Sequence, residues 1–136
     1  MNEEILTYIR YRLEKAQDAL KTAKVIFPMT LDGTVSRLYY ACFYCAIAAL
    51  LLENKSTRRH ATVCRLFNDT FIATGTIPRE MGKFFTKMFE QRNRADYEDL
   101  VSFQESDVKK WIETTEQFVQ QVSDFVKHQI KEKEIG

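Results

Sequence analysis

The stretch RNRADYEDL, Arg92–Leu100, places two guanidinium groups, three carboxylates and a phenol within nine residues. A guanidinium presents a planar fork of donors that matches the paired oxygens of a phosphate or a carboxylate. The chemistry on offer is therefore anion binding, or internal Arg–Asp pairing at the polar end of a helix. A second segment, Arg37-Leu38-Tyr39-Tyr40, leads an arginine into an apolar run. Its charge needs a partner, because an unpaired buried charge is costly. Asp96 is the natural candidate, since an Arg–Asp pair is bidentate and directional. Two readings stay open: a structural clamp between Arg37 and Asp96, or a polar pocket lined by Arg37, Tyr40, Arg92, Asp96 and Tyr97. Arg58, Arg59 and His60, with Lys55 upstream, cluster where a short helix is expected to start, and free N–H groups there also suit phosphate. Lys83, Lys87 and Arg94 recur at roughly helical spacing; for the two lysines a solvated face is the simpler expectation.

Other site chemistries find less support. Cys42-x-x-Cys45 and His60-x-x-x-Cys64 have the spacing of a zinc tetrad. Cys42 and Cys45 sit among Ala, Phe and Leu, however, where free cysteine behaves as a small hydrophobe. Core packing is the expected role, and no metal or cofactor is expected. Neither histidine, His60 or His128, has a glutamate three residues before it, so the Glu-x-x-His pairs of a di-iron bundle are missing. Phosphate-loop, dinucleotide and hydrolase-elbow patterns are missing as well.

Few elements are needed to position these residues. A chain of 136 residues is long enough for one core and is read as a single domain over residues 1–136. Four Gly and two Pro leave few turns, which favours a small number of long helices. Leu6, Ile9, Leu13, Ala16, Leu20, Ala23 and Phe27 step by three and four along an amphipathic helix that Pro28 ends. A second helix is expected over about Gly33–Glu53, apolar nearly all round and hence central. A short third follows, carrying Val63, Leu66, Phe67, Thr70 and Phe71 and stopped at TGTIP with Gly75 as its cap. Pro78 opens a fourth, with Met81, Phe84, Phe85, Met88 and Phe89 inward and Arg92 near its end. Ser102-Phe103-Gln104-Glu105 reads as a capping box for the last helix, whose inward face is Val108, Trp111, Thr115, Phe118, Val122 and Phe125. Residues 131–136 are expected to fray. The result is all-α: an up-and-down bundle of four long helices and one short one.

With Lys plus Arg at 20, Asp plus Glu at 19 and a formal charge of +1, any nucleic-acid site must be a local patch. The charged N-terminus lacks a signal-peptide core. The uncharged run Leu38–Leu52 is shorter than the roughly 18–20 residues of a membrane span. Three cysteines, an odd number, suit reduced thiols. These features predict a cytoplasmic protein with no membrane association.

The ordered set SRLYYACFY (Ser36–Tyr44), RHATV (Arg59–Val63), Leu66-Phe67, TGTIP (Thr74–Pro78) and RNRADY (Arg92–Tyr97) resembles the HEPN domain family, in particular its small stand-alone prokaryotic members. The resemblance covers most of the chain. It implies a helical bundle that forms a symmetric homodimer through its long helices, often beside a minimal nucleotidyltransferase in a toxin–antitoxin pair. Active members, so the resemblance implies, are metal-independent ribonucleases whose signature is Arg, a polar residue, and a His four to six residues after the Arg. Arg92 and Asn93 match the first two positions. Tyr97 stands where the histidine belongs, and a phenol titrating near 10 is a poor general base where imidazole, near 6.5, is well placed. The expectation is thus a homodimeric module that binds a nucleotide, an RNA backbone or a nucleotidyltransferase without catalysis. The alternative is a ribonuclease toxin using Arg92 and Asn93 with Tyr97, Asp96 or His60 as its acid–base group.

Overall fold

A computed structural model describes residues 1–135, and side chains as far as residue 134. Five α-helices run α1 (Glu3–Ile26), α2 (Leu31–Leu51), α3 (His60–Phe67), α4 (Arg79–Tyr97) and α5 (Glu105–Ile135), and no strand occurs among the described residues. The all-α bundle of four long helices and one short one is therefore as expected.

The first helix buries Ile9, Leu13, Ala16, Leu20 and Ala23, the three-four seam of its sequence, with Ala19 beside them. Thr30 opens α2 with its hydroxyl accepting from Gly33 N at 3.1 Å. Asn54, at φ 55°, closes it: its N–H reaches Leu51 O, and Lys55 N–H reaches Leu50 O. That pair of bonds is the left-handed cap that satisfies the last carbonyls of a helix. Between these ends α2 packs against α1, α3, α4 and α5, which is why it is apolar on nearly every side. By length and composition alone it could cross a membrane, but most of it is buried by its neighbours; the central helix of a bundle passes the same test.

Several boundaries differ from the sequence expectation; α2, expected over about Gly33–Glu53, spans Leu31–Leu51. The last helix starts at Glu105 with Gln104 O accepting from Asp107 N and Val108 N, so Ser102 lies two residues outside the role of a capping serine. Residues 131–135, expected as a frayed tail, continue α5, while Gly136 lies outside the described residues. The third helix does not stop cleanly either. It loosens into a π-helical turn over Asn68–Ile72 before Gly75, at φ 76°, reverses the chain as expected. At the centre of the bundle Tyr39, Phe67, Phe85 and Phe118 meet edge and face, with ring centroids 5.5–6.1 Å apart.

Candidate functional site

The last turns of α4 bring Arg92 back against the first half of α2. Residues four apart share a helix flank, so Asp96 reaches the guanidinium that Arg92 points inward, and the adjacent Asn93 bends back to it as well. Only 8% of that side chain is exposed. Its Nη2 donates to the Tyr40 hydroxyl at 2.9 Å and the Tyr97 hydroxyl at 3.2 Å, and its Nη1 donates to Asn93 Oδ1 at 3.3 Å. The guanidinium carbon also lies 5.1–5.5 Å from the ring centres of Tyr39, Tyr40 and Tyr97, within cation–π range. Burial opposes the charge, yet the surrounding phenols and the Asp96 carboxylate outweigh it and hold Arg92 above its ordinary pKa.

Asp96 overturns one expectation. Its Oδ2 sits 3.1 Å from Arg92 Nε, in place of the predicted pairing with Arg37. The Arg92 Nε–H is buried and makes no aligned hydrogen bond to it, so the contact is an ion pair whose fork is not closed. The other bond of Asp96 comes from Ser36 Oγ at 3.4 Å, which ties the end of α4 to the start of α2. The hydrogen bonds that cross between these helices are Ser36 with Asp96 and Arg92 with Tyr40, and not the expected pair of Arg37 with Asp96. Arg37 lies over the Tyr40 ring at 4.8 Å, on the edge of the cluster. The reason is reach: four residues along one helix bring Asp96 to Arg92 without any tertiary requirement.

The fold adds His60 to this cluster. As the first residue of α3 it stacks on Phe43, with ring centroids 4.5 Å apart, and accepts or donates at 2.8 Å between its Nδ1 and the Tyr39 hydroxyl. Its ring is also 5.8 Å from that of Tyr40. Imidazole and guanidinium therefore flank the same two tyrosine rings. Burial lowers the pKa of His60, and the Arg92 charge lowers it further, which favours neutral imidazole at pH 7. Tyr39, wholly buried, has its phenol pushed far up by burial, the Arg92 charge offsetting only part of that shift.

The other sequence candidates are not drawn in. Arg58 lines a groove with Tyr8, Arg12, Ile47 and Leu51, and no hydrogen bond or ion pair joins Arg58 or Arg59 to the Arg92 cluster among the described residues. Two residues along an α-helix turn a side chain about 200° round the axis, so Arg94 points away from Arg92. It donates to Gln91 Oε1 at 2.8 Å and covers the Phe103 ring at 5.6 Å. Lys83 and Lys87 are exposed. The pattern Cys42-x-x-Cys45 with His60-x-x-x-Cys64 does not converge: Cys45 Sγ contacts Ser123, Cys64 Sγ contacts Thr86, and His60 turns to Tyr39. Among the described residues no three His, Cys, Asp or Glu side chains gather as a metal site. Sequence reasoning missed Ser36 and the role of Tyr39. A partner 21 positions away across a loop, as Tyr39 is from His60, leaves no periodic trace.

Comparison with known proteins agrees with the fold. The sequence profile of the HEPN domain matches residues 9–127. A UPF0332 protein of Thermotoga maritima is 38% identical over 125 residues, covering 91% of this chain and 92% of that protein. A Methanocaldococcus jannaschii protein named "Putative toxin MJ0605" is 36% identical over 98 residues, 71% of this chain and 73% of that one. A UPF0332 protein of Gloeobacter violaceus, glr0978, is 35% identical over 86 residues, 62% of this chain and 68% of its own length. The chain belongs to the HEPN domain family.

Proposed function

We propose that this protein is a homodimeric HEPN module that binds the phosphate backbone of RNA, or of a nucleotide, at Arg92. One observation carries the reading: the buried Arg92 guanidinium is held mainly by neutral oxygens, those of Tyr40, Tyr97 and Asn93, with a single, poorly aligned carboxylate. Tyr97 is 71% exposed, so its phenol can leave at little cost. A phosphate oxygen in its place forms a charge-assisted bond, roughly twice as strong as a neutral one. Exposed Tyr8 and Tyr11 on α1, with half-buried Tyr40, Tyr44, Ile47 and Leu51 on α2, supply an apolar face suited to a second copy. The proposed setting is the cytoplasm, with a nucleotidyltransferase as a further partner of the dimer.

Binding of a fluorescent single-stranded RNA at two salt concentrations tests this. Arg92→Ala is expected to weaken binding at least tenfold and to flatten the salt dependence; equal affinity of variant and wild type refutes the phosphate site. A ribonuclease toxin is the second reading, supported by the arrival of His60 at the tyrosine rings that Arg92 also meets and by the name of the Methanocaldococcus relative. It requires growth arrest and RNA fragments on expression, both lost in Arg92→Ala. Wild-type protein inert on RNA at high concentration sinks it.

A further inference from the structure

The chemistry of the outer nitrogen of His60 is set by a residue of another helix, Tyr39. Tyr39 is 0% exposed, and among the described residues its hydroxyl has one hydrogen-bond partner, His60 Nδ1 at 2.8 Å. A buried O–H is rarely left unpaired, and burial keeps this phenol protonated. The Tyr39 proton therefore points at Nδ1, which must accept it through its lone pair. A neutral imidazole with Nδ1 as acceptor carries its own proton on Nε2. Among the described residues that Nε2 makes no hydrogen bond, and the ring is only half buried. The groups facing His60 from α2 are Tyr39, Tyr40 and Phe43, and from α4 the Arg92 charge; none is a carboxylate that would hold imidazolium.

We propose that Tyr39 fixes His60 as the Nε2–H tautomer, so that His60 is a second donor to the phosphate taken by Arg92. The assignment rests on the phosphate reading above for its ligand, but the tautomer itself does not. Tyr39 is then a positioning residue, and His60 a binding one. The arrangement also bears on catalysis. In this tautomer the outer nitrogen has no free lone pair, so His60 at rest donates to an anion and cannot abstract a ribose proton.

Two measurements test it. Long-range proton–nitrogen NMR on the intact protein at pH 7.5 reads which ring nitrogen of His60 carries the proton. Nε2–H is expected in wild type, with a mixture of tautomers in Tyr39→Phe; Nδ1–H in wild type, or no change in Tyr39→Phe, overturns the proposal. Titration with a short single-stranded RNA then reads the donor. His60→Ala is expected to lose about three- to tenfold in affinity, the range of one hydrogen bond. His60→Gln, whose amide N–H sits near the position of Nε2, is expected to recover most of it, with melting temperatures checking that both variants fold. A His60→Ala protein that binds like wild type overturns the donor role. Wild-type protein that binds neither this RNA nor inorganic phosphate overturns the phosphate reading and the donor role together, while the tautomer still stands or falls by NMR.

Discussion

Replacing Arg92 by alanine asks how much the cluster contributes to the fold as well as to binding. The bond to Tyr40 at 2.9 Å is short, part-buried and donated by a charged group, a class that contributes about 1.5–3 kcal/mol. The contacts with Tyr97 and Asp96 are wetter, since those side chains are 71% and 31% exposed, and each contributes about 0–1 kcal/mol. Two terms oppose the loss. The variant no longer has to desolvate a guanidinium, and alanine is marginally the better helix former. The balance is a destabilisation of about 2–3 kcal/mol, with Tyr40 O–H and Asp96 left without their partner. For a chain of this length about 3–4 °C of melting temperature follows each kcal/mol, so Arg92→Ala should melt about 6–12 °C lower by circular dichroism. A double-mutant cycle with Tyr40→Phe isolates the pair, and a coupling of about 1 kcal/mol or more is expected for residues in contact. A variant that melts within 2 °C of wild type (roughly the shift of 0.5 kcal/mol), or a cycle that is purely additive, would refute the claim that Arg92 fastens α4 to α2.

Three further outcomes follow from the same geometry. The folded-state pKa of His60 is depressed by burial and then by Arg92, so the unfolded chain, titrating near 6.5, takes up the proton first. Stability should be level above about pH 6.5 and fall as the pH drops through that value, and denaturant titrations of His60→Gln should lack this slope. Gly82 packs against the π-helical turn, where an added Cβ would meet Asn68 Oδ1 and come within 2.8 Å of Ile72 Cγ1. Gly82→Ala should therefore destabilise by about 1–3 kcal/mol despite a helix-propensity gain of about 1 kcal/mol, and an increase in melting temperature would show the contact to be soft. Burial pushes the thiol of Cys45 up to about 12 and that of Cys42 well above its ordinary value. A thiol reagent at pH 8 should leave both untouched in the native protein and modify all three cysteines, Cys64 included, in denaturant.

The helices were legible because their causes are local. Steps of three and four in Ile9–Ala23 and Met81–Met88, Pro28 and Pro78 as punctuation, and Gly75 as a left-handed stop act through the backbone of their own neighbourhood. The apolar run through α2 announced a helix surrounded on all sides, and the order of motifs from Ser36 to Tyr97 pointed to the family. Arg92, Asn93 and Tyr97 could be named from one segment for the same reason. Helix ends were less legible: Ser102 had the residue types of a capping box, but α5 starts where Gln104 O meets the first free N–H groups, and it runs past the expected fraying point at residue 131. What the tertiary structure alone decided was pairing at a distance. Asp96 went to Arg92 because both lie on one flank of α4, leaving Arg37 to the Tyr40 ring. His60, more than thirty positions before Arg92, reached the cluster because α2 carries Tyr39, Tyr40 and Phe43 between the two. One-dimensional spacing records which residues share a helix face; which faces meet is fixed by how the bundle closes on its core, and that is where this site is made.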